Sequence, residues 1–177
     1  MKSKLKISKG LLTLCRTGFL CAVALVISVL ENLIPVLPFS LPGMKLGLSN
    51  IAVIFALELC SLPCALGIVA VKALFALATR GAIAFMMSFF GGILATLGMY
   101  FLIRSKKLPF GCLGIGIGGA FLHNTGQFFI SYLLFYNAVF VYFPVLCLAS
   151  LITGTLTALV CYIVMPPIKK IPLMNSY

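Results

Sequence analysis

The chain has 177 residues, 63% hydrophobic and only 8% charged, with a mean hydropathy of +1.24. Soluble domains carry about 25% charged residues, so a water-soluble globule is excluded. Thirteen Lys and Arg against two Glu give a net charge of +11; these cations flank long apolar runs, which makes them membrane-orientation signals rather than a nucleic-acid surface.

A helix needs about 20 apolar residues to cross roughly 30 Å of hydrocarbon. Apolar runs at 17–37, 47–62, 64–80, 83–103, 112–135 and 143–165 predict six transmembrane helices in an all-α integral membrane bundle. Lipid offers no partner for backbone N–H and C=O groups, so each span must be helical. The runs are also too long, and too little alternating, for strands of an outer-membrane barrel. With both termini cytoplasmic, Lys2, Lys4, Lys6, Lys9, Arg16, Arg104, Lys106, Lys107, Lys169 and Lys170 all fall on the inner side, as the positive-inside rule requires. The expected layout is one membrane domain: a basic amino-terminal segment over 1–16, the bundle over 17–165, and a short tail over 166–177. The location that follows is the inner (cytoplasmic) membrane. The first run has the basic start of a signal peptide, but it exceeds an h-region of about 7–15 residues and no A-x-A site follows. It is read as a helix.

At the outer end of the first helix stand Glu31 and Asn32. The following loop holds Pro35, Pro38, Pro42 and Gly43, which forbid a continuous helix. Phe39, Leu41 and Met44 make it too apolar for a solvated linker, so it reads as a lid over a cavity or as a segment lying at the interface. Lys45 closes that loop and either borders the cavity or is a plain outer-surface lysine.

Ionisable groups inside a membrane are expensive and point to function or to structural pairing. Lys72 lies nine residues past Pro63, about 13 Å deep at 1.5 Å per residue, while Glu58 lies about 7 Å deep on the neighbouring helix. A snorkelling stem could close that difference. The pair either ties the hairpin together or leaves Lys72 as a ligand contact. Arg80, at the outer end of the third helix, is either an anchor or an anion contact. Lys45, Lys72 and Arg80 against Glu31 leave the outer rim positive, which favours an anionic ligand.

Glycines 111, 114, 116, 118 and 119 lie upstream of the polar stripe of the fifth helix, and Gly114 with Gly118 forms the G-x-x-x-G of close helix packing. The strand and following lysine of a phosphate loop are missing. His123, Gln127 and Ser131 then recur every four residues, with Asn124 three before Gln127, so the four share one broad face. They either bond across helices or line a cavity open to the outside. A metal role for His123 is disfavoured, because the chain has no second His and no Asp. The seven cysteines are scattered and lack metal or redox spacing, so they read as small packing residues. No cofactor is implied.

Two strings go beyond generic membrane features: Pro42-Gly43-Met44-Lys45-Leu46-Gly47-Leu48-Ser49-Asn50-Ile51, and His123-Asn124-Thr125-Gly126-Gln127. With the basic six-span layout they resemble the Gx transporter family, also labelled heptaprenyl diphosphate synthase component I. The resemblance covers about residues 17–165. That family is similar in turn to the substrate-binding S components of energy-coupling factor (ECF) transporters. It implies an S-component-like bundle, a lid over 42–50 that includes Asn50, and pocket roles for His123, Asn124 and Gln127. It further implies a coupling face at Gly18 and Ala22 for an ECF energising module, although Val26 stands where the usual pattern has a third small residue.

The synthase label meets a chemical obstacle. Prenyl diphosphate synthases of the aspartate-rich type hold Mg²⁺–diphosphate through several carboxylates, and this chain has no Asp. It carries no Walker motif either. Two readings therefore stand: a transport component that binds a small substrate and is energised by separate subunits, or a non-catalytic membrane subunit of isoprenoid or quinone-precursor metabolism. Neither calls for nucleic acid.

Overall fold

The computed structural model describes residues 9–33, 47–105 and 110–170. Among them all regular structure is helical: α1 (Lys9–Leu33), α2 (Asn50–Leu59), α3 (Leu62–Arg80), α4 (Ala82–Arg104), α5 (Cys112–Phe135) and α6 (Phe143–Lys169). A 3₁₀ helix, Tyr136–Tyr142, joins the last two. Of the expected lid over 42–50, residues 42–46 with Lys45 lie outside the described residues, as do Lys2, Lys4, Lys6, Lys106 and Lys107.

Among the described residues, four segments are long and apolar enough to cross a membrane: Gly10–Leu33, Leu62–Arg80, Ala82–Arg104 and Val139–Lys169. The chain is thus a multi-pass membrane protein. Its outward surface agrees, with Phe19, Phe101, Phe129, Ile152 and Tyr162 all exposed where a soluble protein would suffer a sticky patch. The even, full-length second span expected over 47–62 is not what forms. α2 has ten residues, about 15 Å, or half the hydrocarbon thickness. Gly47, at φ +84°, turns the chain just before it, and Pro63 sits in the first turn of the next helix, where its missing N–H does no harm. α5 is 24 residues long, yet His123, Asn124, Thr125 and Gln127 interrupt its apolar run.

The short α2 is the centre of the bundle. Eight of its ten residues are buried, and it packs against α1, α3, α4 and α6. A helix apolar on every side belongs in such a position. α1 holds both of its ends. The Arg16 guanidinium donates to the Leu59 carbonyl at 3.4 Å, and a Glu31 carboxylate oxygen accepts from the backbone N–H groups of Gly47 and, at 3.2 Å, Leu48. A cation at the C-terminus and an anion at the N-terminus both complement the helix dipole. Arg16 and Glu31 are fifteen residues apart on α1, about 22 Å, enough to reach past both ends of α2.

Glycines set the close crossings, though at other positions than expected. Gly114 faces the Phe110 ring and Gly118 a Leu102 methyl, both side chains. Backbone meets backbone at Gly116 against Gly154 and at Gly126 against Gly91, where an added Cβ would fall 2.5 Å from the Gly154 oxygen and 2.6 Å from the Gly91 Cα. The first crossing joins α5 to α6 and the second joins α4 to α5.

The expected Glu58–Lys72 pair does not form. Glu58 instead bonds Lys169 at 2.7 Å, and Lys72 donates to Asn50 Oδ1 at 3.0 Å. The reason is hairpin register: Asn50 and Lys72 each lie eleven residues from Ser61, so they meet at one height, whereas Glu58 lies three from it and faces the level of Cys64.

Candidate functional site

At the α2 N-terminal end, four helices bring polar groups into one cleft. Ser28 from α1, Gly47 and Ser49 ahead of α2, Lys72 and Arg80 from α3, Ser88 from α4, and His123 and Gln127 from α5 line it. Its interior has room for about one water molecule. Lys72, His123 and Gln127 are buried, at 5%, 3% and 1% exposure, which in a lipid-embedded bundle demands internal partners.

Each side chain is placed by a neighbour. The Gln127 amide N–H donates to His123 Nε2 at 2.7 Å, which joins the two side chains along one face of α5. Two glycines flank the ring. A Cβ on Gly47 would lie 2.9 Å from His123 Cδ2, and one on Gly91 would lie 3.1 Å from Nδ1. Asn50 stands beside Gly47, anchored by the Lys72 ammonium. Glu31, 4% exposed, stands behind Gly47 on its backbone N–H and is the charge that faces Arg80. Among the described residues the cluster holds two cations, Lys72 and Arg80, against one carboxylate, Glu31, in surroundings where charge is poorly screened. Chemically, such an arrangement suits an anion with several hydrogen-bonding groups.

Of the residues expected from sequence, Lys72, Arg80, His123 and Gln127 line the cleft, and Glu31 and Asn50 stand behind them, bonded to Gly47 and Lys72. Asn124 is directed elsewhere: its amide donates to Ser150 Oγ at 2.8 Å and to the Leu146 carbonyl at 3.2 Å, tying α5 to α6. Asn32 is exposed on α1 and is not among the lining residues, because the turn from Glu31 rotates it by about 100° to the other side. Ser28 and Ser88 were missed, since single serines in apolar helices carry no pattern. Ser28 was nevertheless legible as the residue one turn before Glu31.

The family model described as heptaprenyl diphosphate synthase component I matches residues 20–164. The chain belongs to that family. The match runs from the buried Leu20 of α1 into the last turns of α6 and takes in the whole cleft. No curated protein and no solved structure matches it.

This member of the heptaprenyl diphosphate synthase component I family has a second concavity at the opposite end. It lies between the start of α5 and the second half of α6, lined by Gly111, Cys112, Leu113, Thr155, Ala158, Leu159 and Tyr162, with about 400 Å³ of space. Its walls are almost wholly apolar, which suits hydrocarbon and offers no counter-charge.

Proposed function

We propose that this chain is a membrane transport component that binds a small anionic substrate in the polar cleft and is energised by separate subunits, in the manner of an ECF S component. The observation that carries the reading is the convergence of Lys72 and Arg80 with only one carboxylate, beside a hydrogen-bonded His123–Gln127 pair. Buried charge of that kind in a membrane marks a ligand path. In the orientation that goes with it, both termini are cytoplasmic and the cleft faces outward. α5 is a further crossing with its polar face turned inward, and α2 with the segment before it completes the sixth. Arg16 at the start of α1, Arg104 at the end of α4 and Lys169 at the end of α6 share one side in this arrangement. The exposed Gly18 and Ala22 on α1 are the proposed coupling face, Gly18 having no neighbour that a Cβ would meet.

A second reading, a non-catalytic membrane subunit of prenyl diphosphate or quinone-precursor metabolism, is favoured by the family's description and by the apolar groove at α5 and α6. Affinity capture of the tagged chain in mild detergent, followed by mass spectrometry, separates the two. Co-purifying ATP-binding-cassette ATPases with a membrane coupling subunit support transport. A co-purifying soluble prenyl synthase overturns it in favour of the accessory subunit. Within the transport reading, His123→Ala and Gln127→Ala abolish uptake at unchanged membrane abundance; equal loss of folded protein assigns the pair to packing instead.

A further inference from the structure

Behind the cleft wall, at Gly47, stand two half-satisfied side chains that complement each other. Glu31 is anchored through one carboxylate oxygen on the N–H groups of Gly47 and Leu48, while Oε2 has no hydrogen-bond partner among the described residues. Asn50 is anchored through Oδ1 on Lys72, while its Nδ2 also lacks a partner among them. Both residues are at least nine-tenths buried, at 4% and 3% exposure. Buried polar atoms are almost always satisfied, and more stringently so where the surroundings are lipid rather than water. Both side chains converge on Gly47: Glu31 takes its N–H, and Asn50 Nδ2 lies 3.2 Å from where its Cβ would be. The site therefore keeps one strong acceptor and one donor in reserve next to Lys72, Arg80 and the His123–Gln127 pair.

Resting on the anion-site reading above, we infer the ligand's chemical class: a small monocarboxylate that carries a neutral hydrogen-bond donor, a hydroxyl or an amide N–H, close to its carboxylate. The carboxylate accepts from Asn50 Nδ2 beside the cations, and the donor meets Glu31 Oε2. Charge decides the rest. With Lys72 and Arg80 positive and Glu31 negative, a monoanion brings the cluster to zero, whereas a zwitterionic amino acid leaves it at +1. An ammonium donor is thereby disfavoured against a hydroxyl or amide. Since the cleft has room for only about one water, binding parts Gly47 from the His123 ring it touches.

The test uses the full chain in mild detergent and titration calorimetry with lactate, N-acetylglycine, propionate, alanine and inorganic phosphate. Lactate or N-acetylglycine binds at least about tenfold tighter than propionate and alanine, the size expected of a hydrogen bond to a charged acceptor. Whichever of the two is tighter tells hydroxyl from amide. Glu31→Gln keeps an oxygen for the Gly47 N–H but turns the reserve acceptor into a donor, so propionate binding persists while the preference falls to about one. Asn50→Asp keeps an oxygen on Lys72 and removes the reserve donor, and it weakens every carboxylate; it serves as the second variant should Glu31→Gln elute aggregated. Equal binding of lactate and propionate in the parent protein overturns the donor inference and leaves the anion site standing, with a water bridging the two reserve atoms. Tightest binding by alanine overturns it as well. If no anion binds, phosphate included, the anion-site reading falls and this inference falls with it.

Discussion

The two ends of α2 handle charge in opposite ways. At its N-terminus, Glu31, Asn50, Lys72, His123 and Gln127 are all buried: Glu31 is bonded to the Gly47 N–H, Lys72 to Asn50, and Gln127 to His123. At its C-terminus, the Glu58–Lys169 pair is half in solvent, its side chains 23% and 49% exposed, and only Arg16 is drawn inside, onto the Leu59 carbonyl. One helix thus separates an end where removing a charge strands its partners in low dielectric from an end where water can replace them. The lesson is that net charge at an end matters less than what is left behind when one group is taken away.

The sharpest way to break the comparison is at the crossing that carries His123. Gly126→Val places a side chain 2.6 Å from the Gly91 Cα. Backbone cannot yield as a side chain can, so a loss of about 3 kcal/mol is expected in detergent unfolding. Gly18→Ala, on a helix face with nothing within 4 Å, stays within about 0.5 kcal/mol in the same assay.

Next in size is the contrast between the two glutamates. Glu31→Ala strips the Gly47 and Leu48 N–H groups, just ahead of α2, of their acceptor and removes the carboxylate whose field acts on Arg80, for a loss of about 3 kcal/mol. Glu58→Ala costs less than about 1 kcal/mol. Similar values for both would erase the distinction between the ends. A smaller effect follows at Gly47. Its φ of +84° disfavours any side chain, and a Cβ would press on the His123 ring. Gly47→Ala is expected to cost about 1–2 kcal/mol in thermal unfolding and to shift the His123 imidazole resonances.

The smallest test concerns pairing. The double exchange Glu58→Lys with Lys169→Glu restores the stability of the parent to within about 0.5 kcal/mol, whereas Glu58→Lys with Lys72→Glu does not. Rescue by the second exchange would restore the hairpin pair that composition alone favours.

Much of the site was legible because its residue types are rare in membrane helices. A lysine, two arginines, two glutamates and one histidine stand out in a chain that is 63% hydrophobic, and the four-residue spacing of His123 and Gln127 marks a helix face. What was not legible is which of these groups meet. Glu58 and Lys72 are close in sequence and opposite in charge, yet hairpin register sends Lys72 to Asn50. Asn124, one residue from His123, is rotated by about 100° and bonds α6 instead. The crossing glycines show the same limit: the G-x-x-x-G spacing marks Gly114 and Gly118, but Gly116 is the one opposite another backbone.

The sequence by itself determined the class of protein, its helical structure and the presence of costly polar groups in apolar surroundings, because hydrophobic content and backbone hydrogen bonding in lipid are properties of the chain alone. Tertiary structure decided the length and central place of α2. It also decided the partners of every buried charge and the gathering of four helices' polar groups around Gly47. Those depend on register and on how closely two backbones approach, and neither quantity is written in the order of residues along one helix.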